Sequence, residues 1–210
     1  MKLNNFVLGF DFDGVIVNSL SVMEKSWKEV CKKNRLNIPF YNYKQNIGLK
    51  FNDILKNIGV EEDLHKKVHK DYFELTKKYQ SEILLYPYVK ETFLKLKEKN
   101  IPTFIVTSKP RENTLFLLKM FKIEVELLIC ADDVTNGKPH KESGRLVRLK
   151  FKNKKIFYVG DMDSDFKFSE NCNFDFIYAS YGYGTLNKNP NLKIDQISQV
   201  IELKNLLLNL

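Results

Sequence analysis

Asp11 and Asp13 stand two residues apart, directly behind the apolar run Phe6-Val7-Leu8-Gly9-Phe10 and ahead of Gly14. Two carboxylates brought into one pocket by a tight loop can divide a reaction between them: one attacks, the other manages the leaving-group proton. The end of a five-residue apolar stretch is an expensive place for an idle charge. The alternative for the pair is a loop that caps the next helix. Three further pieces carry complementary groups. Thr107 and Ser108 follow Phe104-Ile105-Val106, Lys138 lies in the turn Gly137-Lys138-Pro139, and Asp161 follows Phe157-Tyr158-Val159-Gly160 with Asp163 and Asp165 close behind. Three of the four pieces follow stretches apolar enough to be buried strands. In parallel sheets functional groups collect just past the carboxyl ends of strands. Carboxylates, a hydroxyl and an amine are therefore expected at one edge, enough for an acid, a nucleophile, a metal cage and a phosphate clamp.

The elements that must position these groups can be read from apolar spacing. Residues 6–10 read as a buried strand, followed by a helix over about 20–34 with Val22, Met23, Trp27 and Val30 on helical spacing. Pro39 and the stretch 40–46 interrupt it. A short helix follows Gly48 and ends at Gly59, and 61–80 form the best long helix. Glu61, Glu62 and Asp63 favour the start of that helix, and Lys77 and Lys78 suit its end. The block 17–83 has no good strand pattern and reads as a helical insert. From Tyr86 onward helices (87–99, 110–121, 141–150, 164–171) alternate with strands (103–106, 125–130, 155–159, 174–179), and 197–208 close the chain as a helix. Such alternation implies a parallel sheet covered on both faces, with right-handed crossovers.

The chain has 210 residues, 43% of them hydrophobic, with 16 Phe and 10 Tyr. That supports a sizeable core and excludes a disordered chain. The length suits a core of about 140 residues plus a module of about 70. The net charge of +8 comes from 34 Lys and Arg against 26 Asp and Glu. The lysines are scattered and no aromatic-basic ribbon accompanies them, so they read as a solvated surface rather than a nucleic-acid face. Cys31, Cys130 and Cys172 are odd in number and form no CxxC pair, which disfavours disulfides and zinc and suits a reducing compartment. The first residues run straight into a strand-like segment without a signal-like apolar region. No stretch approaches the length of a membrane span. A cytoplasmic protein is expected, with its oligomeric state open.

The order and character of the four pieces, from about residue 6 to about residue 185, resemble the haloacid dehalogenase (HAD) superfamily. The resemblance implies an α/β fold: a Rossmann-like core with a parallel sheet flanked by helices (1–16 and 84–210) and an inserted α-helical cap (17–83). It implies that Asp11 attacks phosphorus to form an aspartyl-phosphate, and that Asp13 protonates the leaving oxygen and then deprotonates water. Thr107 would donate to a phosphate oxygen, with Ser108 a lesser contact through its backbone; Thr107 read alone is equally an N-cap for the helix near Pro110. Lys138 would span nucleophile and phosphate. Mg²⁺ would be held by the carboxylates of Asp11 and Asp161 and the backbone carbonyl of Asp13. Two carboxylates meeting a phosphate dianion need such a hard cation between them. Asp165, completing a GDxxxD pattern, would bind through water or orient the ligands. Asp163 matches no family position and reads as solvent-facing or helix-capping, and His140 receives no role.

Lys109-Pro110 resembles a threonine-x-lysine-proline variant of small-molecule phosphatases in the family. A dehalogenase has no use for Asp13, because halide leaves unprotonated. The beta-phosphoglucomutases share the Asp-Gly-Val-Ile stretch but carry an acid where this chain has Gly160, and lack the continuation to Asp165. The expected function is a phosphoglycolate-phosphatase-like hydrolase of a small phosphorylated metabolite. A phosphosugar mutase is the alternative, and a non-catalytic binding protein a third reading. Substrate choice would fall to the cap, with Lys25, Trp27, Tyr41, Tyr43, Lys44, Gly48 and Lys50 as candidates; Trp27 and the tyrosines serve equally well as cap core.

Overall fold

The computed structural model describes residues 5–202. Strand β1 (Phe6–Phe10) opens the chain and β2 (Val17–Asn18) follows. Four helices come next: α1 (Leu20–Asn34), α2 (Phe40–Lys44), α3 (Phe51–Asn57) and α4 (Glu62–Tyr79). The chain returns through β3 (Leu84–Leu85) to α5 (Val89–Glu98), β4 (Thr103–Val106), α6 (Arg111–Phe121) and β5 (Leu127–Ile129). It finishes with α7 (Glu142–Lys150), β6 (Lys155–Gly160), α8 (Asp163–Cys172), β7 (Asp175–Ala179) and β8 (Lys193–Ile194).

Six strands form one sheet in the order β5-β4-β1-β6-β7-β8, and every pairing in it is parallel. The expected Rossmann-like α/β sheet is present. Its order reverses at β1, with β4 on one side and β6 on the other. That is the kind of switch point where ligand crevices open past the carboxyl ends of strands. The register levels these ends: Phe10 pairs with Ile105 of β4 and with Val159 of β6. The residues next after the three strands therefore emerge together.

Alternation along β1 serves two layers. Leu8 and Phe10 enter one core with Phe93, Leu96, Leu117 and Ile197. Val7 enters the other with Phe104, Tyr158, Val147 and Phe168. A third apolar cluster belongs to the helices between β2 and β3 and gathers Trp27, Tyr43, Phe51, Ile54, Leu55 and Tyr72. Trp27 stacks on Tyr43 at 4.8 Å, and its indole N–H donates to the Ile38 carbonyl at 3.0 Å. Tyr43 donates in turn to the Tyr72 hydroxyl at 2.7 Å.

Several sequence expectations need amendment. β2 and β3 form an antiparallel ribbon, Val17 opposite Leu85 and Asn18 opposite Leu84, where the chain enters and leaves the helical block. A helix, α2, occupies most of the stretch 40–46 that was expected only to interrupt. Residues 174–179 do not hold the last strand, because β8 adds parallel to β7. The closing segment is a 3-10 turn over Ile197–Ile201, and the remainder of the helix expected to 208 lies outside the described residues.

Candidate active site

Asp11 leaves β1 with its N–H bonded to the Val159 carbonyl of β6 at 2.8 Å, so the neighbouring strand fixes the backbone where the carboxylate begins. Thr107 follows β4 with its N–H on the Ile129 carbonyl, and Asp161 follows β6. Carboxylate oxygens of Asp11, Asp161 and Asp165 come within 4.8 Å of one another, all buried. Asp13 lies beside them on the loop after β1. The loop is closed by the Gly14 N–H on Val17 and the Ile16 N–H on Phe12, both at 2.9 Å. The structure thus brings Asp11, Asp13, Thr107, Ser108, Lys138, Asp161 and Asp165 to one edge of the sheet.

Lys138 is 4% exposed, far from the usual state of a lysine in a polar turn. Its ammonium contacts Asp11 at 2.8 Å, Asp165 at 2.6 Å and the Tyr158 hydroxyl at 3.3 Å. Burial works against its charge, but Asp11 and Asp165 hold its pKa well above the ordinary value. Tyr158 is held by the Val106 carbonyl at 2.8 Å, so the lysine is steered from both β4 and β6. Asp165 also accepts the Asp161 N–H at 3.2 Å. It sits in the second row, with both oxygens committed.

Burial pushes the Asp11 carboxyl up to about 7, against the pull of Lys138. Burial, then Asp165 and Asp11, push Asp161 well above the carboxylate range. Asp161 Oδ2 accepts the Gly184 N–H at 2.7 Å, whereas Oδ1 is buried without a hydrogen-bond partner. Two carboxylates that burial and neighbouring acids discourage from ionising, one with an unpartnered oxygen, suit a hard divalent cation with oxygen ligands. The residues present fit that group.

Asp13 accepts from the Ser19 hydroxyl at 2.5 Å and from the Lys109 ammonium at 2.9 and 3.1 Å. Ser19 occupies the N-cap position of α1 yet makes no side-chain cap there, its hydroxyl going to Asp13 instead. The Lys109 N–H donates to Thr107 Oγ1 at 3.1 Å, so this hydroxyl caps no amide of α6 and its proton stays available for donation. The Ser108 hydroxyl donates to the Gly48 carbonyl of the helical insert at 2.6 Å. Asp163 starts α8 and binds the backbone and side chain of Asn187, so it is neither a free surface acid nor a cap of its own helix.

Sequence reading assigned no role to Lys109, Ser19, Tyr158 or Gly184. Lys109 had one signal, its place in the Thr107-Ser108-Lys109-Pro110 run. Tyr158 looked like one more apolar strand residue, and Gly184 lay in a Tyr/Gly run without a matching motif.

Of the insert candidates, Tyr43 and Gly48 line the cavity above Asp11 and Asp13. Trp27 is buried in the insert's core, Tyr41 is 68% exposed, and Lys25 pairs with Glu82 at the surface. Lys44 lines a different cleft. Lys50 donates to the carbonyls of Val134 and Thr135 at 2.6 and 2.8 Å, joining insert to sheet domain.

A sequence profile of the haloacid dehalogenase-like hydrolases matches residues 8–179. Pyrophosphatase PpaX of Bacillus mycoides is 27% identical, the match covering 82% of this chain and 81% of that protein. A phosphoglycolate phosphatase of Rhodobacter capsulatus is 26% identical over 53% of each chain. The fold matches a crystal structure of a Bacteroides fragilis protein assigned to the haloacid dehalogenase-like hydrolases. The TM-score is 0.85 at 22% identity, with 94% of this chain and 100% of the other covered.

Proposed function

The chain belongs to the haloacid dehalogenase-like hydrolase family, and we propose that within it this protein is a Mg²⁺-dependent phosphatase of a small phosphorylated metabolite. One observation carries the reading. Three buried carboxylates meet at the sheet edge, a buried ammonium rests on the first of them, and Asp161 Oδ1 has no partner. The phosphatase-named relatives support the reaction class.

In this reading Asp11 attacks phosphorus and forms an acyl-phosphate while the leaving oxygen departs. Asp13 gives that oxygen a proton, then takes one from the water that cleaves the acyl-phosphate. Lys109 and Ser19 orient Asp13. Lys138 and the Thr107 hydroxyl take up negative charge on the transferring group. Asp11, Asp161 and the Asp13 carbonyl would hold Mg²⁺, which supplies charge to bind the phosphate oxygens. Asp165 orients Lys138 and Asp161 rather than ligating directly. Helices α1 to α4 act as a cap domain over 17–83 that selects the substrate and excludes water. The three free cysteines support a reducing, cytoplasmic setting, and among the described residues no helix is long and apolar enough to cross a membrane.

Phosphate release from a panel of phosphomonoesters tests this. Chelation should abolish turnover, and Mg²⁺ but not Ca²⁺ should restore it, because the larger ion accepts more ligands and places the Asp11 carboxylate poorly. Full turnover in excess chelator would refute the metal. Isomerisation of a hexose 1-phosphate without free phosphate would refute hydrolysis.

A further inference from the structure

We propose that the substrate's leaving group is small, uncharged and largely apolar, with no second anionic group. This rests on the phosphatase reading and narrows it. The cavity above Asp11 and Asp13 has about 70 Å³ open to the centres of water molecules. That suits a compact organic group.

Its chemistry is lopsided. The floor carries Asp11, Asp13, Lys109 and Lys138. The helical side contributes Met23, Ile47, Phe51, Ile54, Tyr72 and Phe73, among others, and no charged side chain among the described residues that line it. Both floor cations are committed, Lys138 to Asp11 and Asp165, Lys109 to Asp13. Lys50, the insert lysine beside the cavity wall, turns its ammonium to the carbonyls of Val134 and Thr135. Of the wall hydroxyls, Tyr43 donates to Tyr72 and Thr76 to the Phe73 carbonyl at 3.1 Å, which leaves the Tyr72 hydroxyl proton as a single neutral donor on this wall.

A carboxylate or second phosphate placed against this wall would lose its water and meet no counter-ion, which is strongly unfavourable. An aliphatic or aromatic body would instead gain by burying apolar surface. The side-chain amides of Gln80 and Asn113 at the cavity edge suit one neutral polar group on the substrate. The inference separates this chain from its named relatives, since phosphoglycolate and pyrophosphate both carry a second anionic group.

The test compares kcat/KM of the wild-type enzyme for isobutyl phosphate, 2-phosphoglycolate and pyrophosphate, with 4-nitrophenyl phosphate as a general reporter. Isobutyl and carboxymethyl groups are close in size, and the carboxylate makes glycolate the better leaving group, so intrinsic reactivity runs against the expected order. Isobutyl phosphate should exceed both anionic substrates by at least about tenfold. Phe73→Lys, which sets a cation on the partly exposed wall, should raise kcat/KM for 2-phosphoglycolate relative to isobutyl phosphate. If 2-phosphoglycolate or pyrophosphate matches or outruns isobutyl phosphate in the wild type, the inference falls while the phosphatase reading stands. If 4-nitrophenyl phosphate and all the others are inert, both fall.

Discussion

Ser19 and Lys109 both reach the Asp13 carboxylate, and together they fix where it sits. The Asp13 carboxylate stands outside the trio whose oxygens come within 4.8 Å of one another, so its chemistry is separable from cation binding. Asp13→Asn keeps the shape and removes the exchangeable proton. It should lower kcat for an alkyl phosphate by about 10²–10⁴-fold while leaving Mg²⁺ affinity, read by calorimetric titration, within a few-fold of wild type. An unchanged rate with that poor leaving group would reject the assignment. Asp11 and Asp161 are legible in sequence because each follows an apolar run that makes a charge conspicuous. Lys109 is legible only as part of the Thr107-Ser108-Lys109-Pro110 run, which says nothing of its partner. Its pairing with a carboxylate 96 positions away belongs to the folded chain. Lys138 was found through its motif, but its burial and the Tyr158 hydroxyl beneath it belong to the tertiary structure.

At the scale of elements, the strand ends do the positioning, and the loop after β1 must pass close beneath Asp161. Gly14 has φ +91°, and a Cβ there would sit 2.3 Å from Asp161 Oδ2. The backbone conformation alone costs a side chain about 1–3 kcal/mol, and the contact would displace a proposed metal ligand. Gly14→Ala should weaken Mg²⁺ binding at least about tenfold by calorimetry while the far-ultraviolet dichroism stays native; unchanged affinity would contradict the role given to this loop. The long elements were readable: α1 and α4 from their apolar stripes, and β1, β4 and β6 from unbroken apolar runs. The missed elements are short. β2, β3 and β8 have two residues each, too few for a period of two to appear. They exist because neighbouring backbone offers partners, and that is a property of the folded chain.

On the scale of the whole molecule, two apolar cores clamp the sheet and a third holds the helical insert together. Met162, just after β6, packs into the insert's apolar cluster, and polar contacts join the same parts: Ser108 on the Gly48 carbonyl, and Lys50 on the carbonyls of Val134 and Thr135. Sequence patterning gave no sign of these clasps, since a lysine and a serine bonding to carbonyls leave no periodicity. A hydrogen bond contributes a net of about 0.5–1.5 kcal/mol, so Lys50→Met should raise KM about two- to tenfold, with a smaller change in kcat, if closure of the insert gates binding. A KM equal to wild type would show that these contacts do not govern closure. The central claim is that Asp11 is the nucleophile, and the most direct test is to find the phosphoryl group on it. Rapid acid quench of Asp13→Asn turning over a ³²P-labelled phosphomonoester, followed by peptide mapping, should place a hydroxylamine-labile label on residue 11. Turnover with no protein-bound label, or with the label on another residue, would contradict the account.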